Sequence, residues 1–211
     1  MPGMNRRLLL TGLAGAGSLA AFRAARAEMD LARATAFIQA AGQELVAAIN
    51  DPRMDTPARR ARVGAVLRRT VDIEGTGRFI LGRYARAAAP PEMQEYLRLF
   101  DEIIVRNLSA RFGEYRGVTF ALGRSQQRTE EDALVNTIIQ RPNAAPFALD
   151  WRVSEIAGQP KVVDVIAEGT SLRLTTRSEY AAVIQRNGGQ VSALLAAMRN
   201  QIQQLAARER G

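Results

Sequence analysis

The hydrophobic period of this chain changes near Gly117 and changes back near Thr176, and that double switch constrains the fold more than any other feature. Before Gly117 the apolar residues recur at helical spacing, beyond it they alternate, and after Thr176 the helical spacing returns. A helix buries a stripe of period 3.6 and a strand one face of period 2, so helices come first, strands next and helices last. Segregated order of this kind builds an α+β fold rather than an alternating parallel one.

The first helix carries Leu31, Thr35, Ile38, Gly42, Leu45 and Ile49 on one face and ends at Asp51-Pro52. Thr56 is placed to cap a second helix with Pro57 in its first position, followed by Val63, Val66, Leu67 and Val71. Asp72 opens a third across residues 73–84, with Phe79, Ile80 and Tyr84 on the buried side. After Pro90-Pro91 comes the widest stripe, running from Met93 and Tyr96 through Phe100 and Ile104 to Phe112. Alternation then predicts strands at Val118-Phe120-Leu122, at residues 134–141, at Phe147-Leu149-Trp151-Val153 and at residues 162–167, the last two joined by a turn at Ala157-Gly158-Gln159-Pro160. The expectation is a curved antiparallel sheet of about four strands around an apolar cavity. Thr176 is read as opening a helix through Tyr180 and Ile184, Gly188-Gly189 as breaking it, and Val191, Leu194, Leu195, Met198, Ile202 and Leu205 as the stripe of the last helix.

Composition removes most enzyme chemistry. The chain has no histidine and no cysteine, so imidazole acid/base catalysis, thiol nucleophiles and the common zinc and iron ligand sets are absent, and no metal or cofactor is expected. Its formal charge of +8 is misleading, because Arg6, Arg7, Arg23 and Arg26 belong to a leader whose removal halves it. The remaining arginines are interspersed with carboxylates and lack aromatic interleaving, which argues against a nucleic-acid partner.

Residues 1–27 have the layout of an export signal. Arg6-Arg7 precede an uncharged run over residues 8–22, and Ala25-Arg26-Ala27 offers small residues at a cleavage site. The run is glycine-rich and shorter than the roughly 20 apolar residues a bilayer span needs. Asn5-Arg6-Arg7-Leu8-Leu9-Leu10 is similar to a twin-arginine leader. One mature domain over residues 28–211, outside the cytoplasm, is the expectation.

Four strings then occur in order: Leu81-Gly82-Arg83-Tyr84, the aliphatic helix after Pro91, Asp164-Val165-Ile166-Ala167-Glu168-Gly169-Thr170-Ser171, and Gly188-Gly189. Together they resemble the MlaC-type, or toluene-tolerance, family of periplasmic phospholipid-binding proteins, over residues 37–205. Tyrosine at position 84, where tryptophan is also used, and the near absence of lysine are departures. The resemblance implies a non-enzymatic periplasmic carrier that moves phospholipid between an outer-membrane lipoprotein complex and an inner-membrane ABC transporter complex. Hopanoid-associated relatives leave a second cargo class open.

Physics supports the need for such a carrier. Two chains of roughly 16 carbons would forfeit about 25 kcal/mol in water at ~0.8 kcal/mol per methylene. The candidate lipid contacts are Phe79, Tyr84, Phe100 and Ile104 from helices, with Phe120, Val135, Phe147, Leu149, Trp151 and Val165 from strands and Leu172 beyond them. Periodicity leaves an ordinary packed core open for each. Arg83, Arg86, Arg152, Arg173 and Arg177 are candidate head-group contacts, with solvated surface charge as the alternative, whereas Arg106 and Arg111 read as helix-face pairs with Asp101, Glu102 and Glu114. Two other functions stay in view. An enzyme would use Asp150 or Asp164 in a cone-shaped pocket, although Asp164 and Glu168, four apart on a strand, sit about 13 Å apart. A membrane-complex adaptor would have a filled core.

Overall fold

A computed structural model describes residues 30–209. The leader assigned to residues 1–27 lies outside the described residues. Six helices and a five-stranded antiparallel sheet give the expected α+β class. In chain order they are α1 (Leu31–Asn50), α2 (Thr56–Thr70), α3 (Ile73–Leu81), a 3-10 helix (Gly82–Arg86), α4 (Pro90–Ser109), β1 (Thr119–Gln127), β2 (Asp132–Arg141), β3 (Ala144–Ile156), β4 (Gln159–Ala167), β5 (Thr170–Ser171), α5 (Leu172–Arg186) and α6 (Val191–Arg208). Among the described residues no helix is long and apolar enough to cross a membrane.

Side-chain caps set the helix starts. The Asp30 carboxylate accepts from the Ala32 amide and the Asp72 carboxylate from the Gly75 amide, each satisfying an otherwise orphaned donor. At α2 the cap is Asp55, which accepts from the Ala58 amide, so Thr56 is the first helical residue rather than the cap. Helix α3 stops at Leu81 instead of running to Tyr84, because Gly82 turns the chain at φ +59° and the next residues tighten into the 3-10 turn. Helix α5 starts four residues before Thr176, where the Ser171 hydroxyl accepts from the Leu174 amide. Its early start escaped the periodicity because Leu172 and Leu174 are exposed, leaving Tyr180 and Ile184 as its buried residues.

The sheet is a meander in the order β1-β2-β3-β4-β5, one strand more than expected. Register places Val135 opposite Trp151 and Trp151 opposite Val165, with Thr137 opposite Leu149, so these side chains share the face that meets α1. Two-residue turns close both late hairpins: Ala157-Gly158 joins Ile156 to Gln159, and Glu168-Gly169 joins Ala167 to Thr170. All four turn residues have positive φ, and Ala157 at 50° carries a Cβ where Asn is the preferred partner for a following glycine. Ala157→Asn should therefore raise unfolding stability by about 0.5–1 kcal/mol, read as a higher urea midpoint at unchanged slope.

Apolar burial divides into three clusters. One is wholly helical, with Tyr96, Leu99, Ile184, Leu194 and Met198 at its centre, drawn from α3 through α6. A second packs Ala34 and Ile38 of α1 on Ala133, Val135, Val153 and Val162 of the sheet. The third joins the end of α1 to Val63, Phe112 and Val118. Asn50 pins that end of α1: its amide nitrogen donates to the Val118 carbonyl at 2.9 Å and its oxygen accepts from the Gly117 amide at 2.8 Å. Glu209 ties the end of α6 down, accepting from Arg60 at 2.5 Å, Arg106 at 2.8 Å and Ser109 at 2.5 Å.

Candidate functional site

An apolar pocket of about 380 Å³ separates the second and third clusters. Its roof is α1, contributing Ile38, Ala41, Gly42, Leu45 and Ile49. Its floor is the sheet, through Phe120, Ile139, Phe147, Leu149, Trp151 and Val165, and it is bounded at its ends by Leu67 of α2, by Leu108, Arg111 and Tyr115 at and beyond the end of α4, and by Leu172. The apolar character follows from strand alternation: Phe147, Leu149 and Trp151 of β3 line the pocket, and Ala148 and Asp150 between them belong to the opposite face.

The polar side chains of the floor are already occupied. The Trp151 indole N–H donates to the Thr137 hydroxyl at 2.8 Å, so the largest aromatic ring presents its apolar surface without an unsatisfied donor. Gly42 sets the spacing between roof and floor. A Cβ there would lie 2.6, 2.8 and 2.9 Å from three ring atoms of Phe120, so only glycine lets α1 approach this closely with the ring in place.

Six of the eleven candidate residues meet at this pocket: Phe120, Phe147, Leu149, Trp151, Val165 and Leu172. The other five are elsewhere. Tyr84 and Phe100 are buried in the helical cluster, with Phe79 and Ile104 packed against it. Val135 is fully buried beneath α1. Reasoning from sequence missed the roof, although Gly42 in the apolar stripe of α1 signals a close approach.

The five arginines proposed for a head group also lie outside the pocket lining. Arg83 covers the Tyr84 ring at 4.9 Å. Arg173 and Arg177 stack on Phe79 at 4.0 and 4.8 Å. Arg152 pairs with Asp132, and Arg86 is exposed. Arg106 pairs with Glu102 at 2.9 Å as expected. Arg111 does not fit the helix-face reading: it lines the pocket, and Glu114 lies 3.8 Å from Arg141 instead.

Neither carboxylate considered for catalysis lines the pocket. Asp150 accepts from the Asn136 amide at 2.7 Å, and Asp164 from the Ser171 hydroxyl at 2.6 Å and the Arg173 backbone amide at 3.1 Å. Both alternate with pocket-lining residues and so belong to the opposite face of the sheet. Glu168 is not on the same strand as Asp164, since it forms the β4–β5 turn.

Comparison with known proteins decides the family. Residues 39–200 match the family model described as MlaC protein, which is well over half of the chain. The chain belongs to the MlaC family. One relative is the toluene tolerance protein ttg2D of Pseudomonas putida, 25% identical over 124 residues, covering 58% of this chain and 58% of that protein. Another is the intermembrane phospholipid transport system binding protein MlaC of Haemophilus influenzae, 23% identical over 123 residues, covering 56% and 57%. The chain thus aligns with less than two thirds of the length of either relative. Among solved structures, the phospholipid-binding protein from Ralstonia solanacearum in complex with a phospholipid superposes with a TM-score of 0.73 at 25% identity, covering 82% of this chain and 98% of that one.

In this MlaC family member three of the four strings shape the ends of helices. Leu81-Gly82 ends α3, and Asp164 and Ser171 tie β4 to the first turn of α5. Gly188 and Gly189 adopt φ of 66° and 81°, and the Gly189 amide closes α5 on the Ile184 carbonyl at 2.9 Å.

Beside that tie, Asp132 is buried and accepts from the Arg152 guanidinium and the Ser154 hydroxyl. Burial opposes its ionised form, but the bonds from Ser154 and Arg152 outweigh it and hold the carboxyl below its ordinary value. A carboxyl whose folded pKa is depressed adds stability above the unfolded value of about 3.9, and that stability is lost as pH falls through the folded value. Asp132→Asn should cost about 1–3 kcal/mol at pH 7, and its urea midpoint should converge with that of the parent as pH falls through the depressed folded value of Asp132. A constant gap across the titration would refute the assignment.

Proposed function

We propose that this chain is a periplasmic carrier that holds the acyl chains of a phospholipid in the pocket between α1 and the sheet, without any covalent step. The observation that carries the reading is an apolar pocket whose floor offers no unsatisfied polar group, in a member of a family with a phospholipid-bound structural neighbour. Phe120, Phe147, Leu149, Trp151, Val165 and Leu172 are the proposed lipid contacts, joined by Gly42 and Leu45. The remaining five candidates serve as core. Export by the leader over residues 1–27 delivers a mature domain over residues 28–211 to the periplasm. There it passes lipid between an outer-membrane lipoprotein complex and an inner-membrane ABC transporter complex.

Size gives the reading a mechanical side. At roughly 30 Å³ per methylene, close to the share of one liquid water, a volume of 380 Å³ takes about a dozen methylenes. That suits much of one chain, so a two-chain lipid requires α1 to lift from the sheet, and the Gly42–Phe120 contact is where it gives. The carboxylates on the far face of the sheet favour a carrier over an enzyme. The test is mass spectrometry of an organic extract of protein purified from a native periplasm. One phospholipid per chain is the expected result, and the absence both of lipid and of uptake from labelled vesicles would overturn the reading.

A further inference from the structure

Arg111 is the charged residue among those that line the pocket, and no carboxylate lines it. It is exposed, so it stands where the pocket meets water. Its backbone is fixed: the amide donates to the Leu108 carbonyl at 3.1 Å, and its carbonyl accepts from the Glu114 and Tyr115 amides at 3.0 and 3.1 Å. Its guanidinium, in contrast, makes no hydrogen bond or ion pair among the described residues. Arg98 and Arg106 of α4 are paired with Glu95 and Glu102, so Arg111 departs from the pattern of its neighbours. Tyr115 lines the pocket beside it, with a hydroxyl that makes no hydrogen bond among the described residues. The Arg141 guanidinium lies 5.6 Å from the Tyr115 ring and 5.4 Å from the Phe147 ring, but Glu114 pairs with it at 3.8 Å, so the unpaired charge at this end is that of Arg111.

A fixed backbone carrying an unpaired planar fork at the rim of an apolar pocket suits one ligand chemistry. An amphipathic guest buries its hydrocarbon and leaves its polar end at the opening, and a guanidinium binds phosphate oxygens bidentately. We propose that Arg111 is the phosphate contact of the lipid head group. This rests on the carrier reading, with the Tyr115 hydroxyl as a second donor to the same phosphate.

The test compares uptake of phosphatidylglycerol and diacylglycerol carrying the same fluorescent acyl chain, delivered from cyclodextrin so that no charged vesicle surface contributes. The parent should prefer the phosphate-bearing lipid by about tenfold, as expected for charged hydrogen bonds. Arg111→Ala should abolish that preference by bringing phosphatidylglycerol uptake down to the level of diacylglycerol, and Arg111→Lys should restore part of it. Arg116→Ala, at an exposed position outside the pocket lining, removes the same charge and should change nothing. A preference that survives in Arg111→Ala overturns the head-group assignment but leaves the carrier reading standing. Uptake of neither lipid by the parent overturns both. Binding of inorganic phosphate by the lipid-free parent, lost in Arg111→Ala, together with no preference between the two lipids, would assign the guanidinium to free phosphate and overturn the lipid assignment.

Discussion

Gly42→Leu should purify with less than a tenth of the parent's bound lipid. The leucine side chain adds four carbons, roughly 120 Å³ at ~30 Å³ each, to a pocket of about 380 Å³. Its Cβ alone lies within 2.9 Å of the Phe120 ring, which must swing toward the space the guest would fill. Displacing only two guest methylenes costs about 1.6 kcal/mol, or more than tenfold in affinity. Overpacking should also cost about 1–3 kcal/mol of stability, so lipid content is measured per folded molecule beside a thermal melt. Adding Phe120→Ala removes the obstructing ring and should recover most of the lipid. Full occupancy in the single variant would exclude this pocket as the lipid site.

Tyr96→Ala should give the opposite separation: a large loss of stability with unchanged lipid per folded chain. Tyr96 is fully buried at the centre of the helical cluster, stacked on Phe100 at 6.0 Å and edge-on to Tyr180 at 6.3 Å. Its hydroxyl donates to the Gly77 carbonyl at 2.9 Å, and burial raises its pKa above the ordinary phenol value. Truncation creates a cavity and removes the hydroxyl donor from that helical carbonyl, for about 4 kcal/mol or more. Tyr96→Phe loses the hydrogen bond alone, about 1–2 kcal/mol. Denaturant unfolding measures both, and a loss under 2 kcal/mol for the alanine variant would mean that the helical half repacks.

The fold was legible because its periods are long and unbroken, from the stripe of α4 to the alternation of β3. Short or atypical pieces were not. Strand β5 has two residues, too few for any period, and its turn begins with Glu168, where no turn-favouring residue announces positive φ. The pocket was half legible, since periodicity tells which way Trp151 and Phe100 point but not the distance to the opposite wall. Phe100 meets a packed wall and Trp151 an open space. Arg111 was misread because sequence spacing offered Glu114 as a partner, whereas the turn after α4 presents that carboxylate to Arg141.

The core cluster with Tyr96 at its centre takes its residues from α3 through α6 and none from α1 or the strands. Roof and floor of the pocket belong to the other two clusters, and α1 buries Ala34, Ile38, Ala41, Ala48 and Ile49 there. If the pocket loads and unloads as proposed, the movement falls on α1 and the sheet, and the helical cluster centred on Tyr96 stays packed throughout.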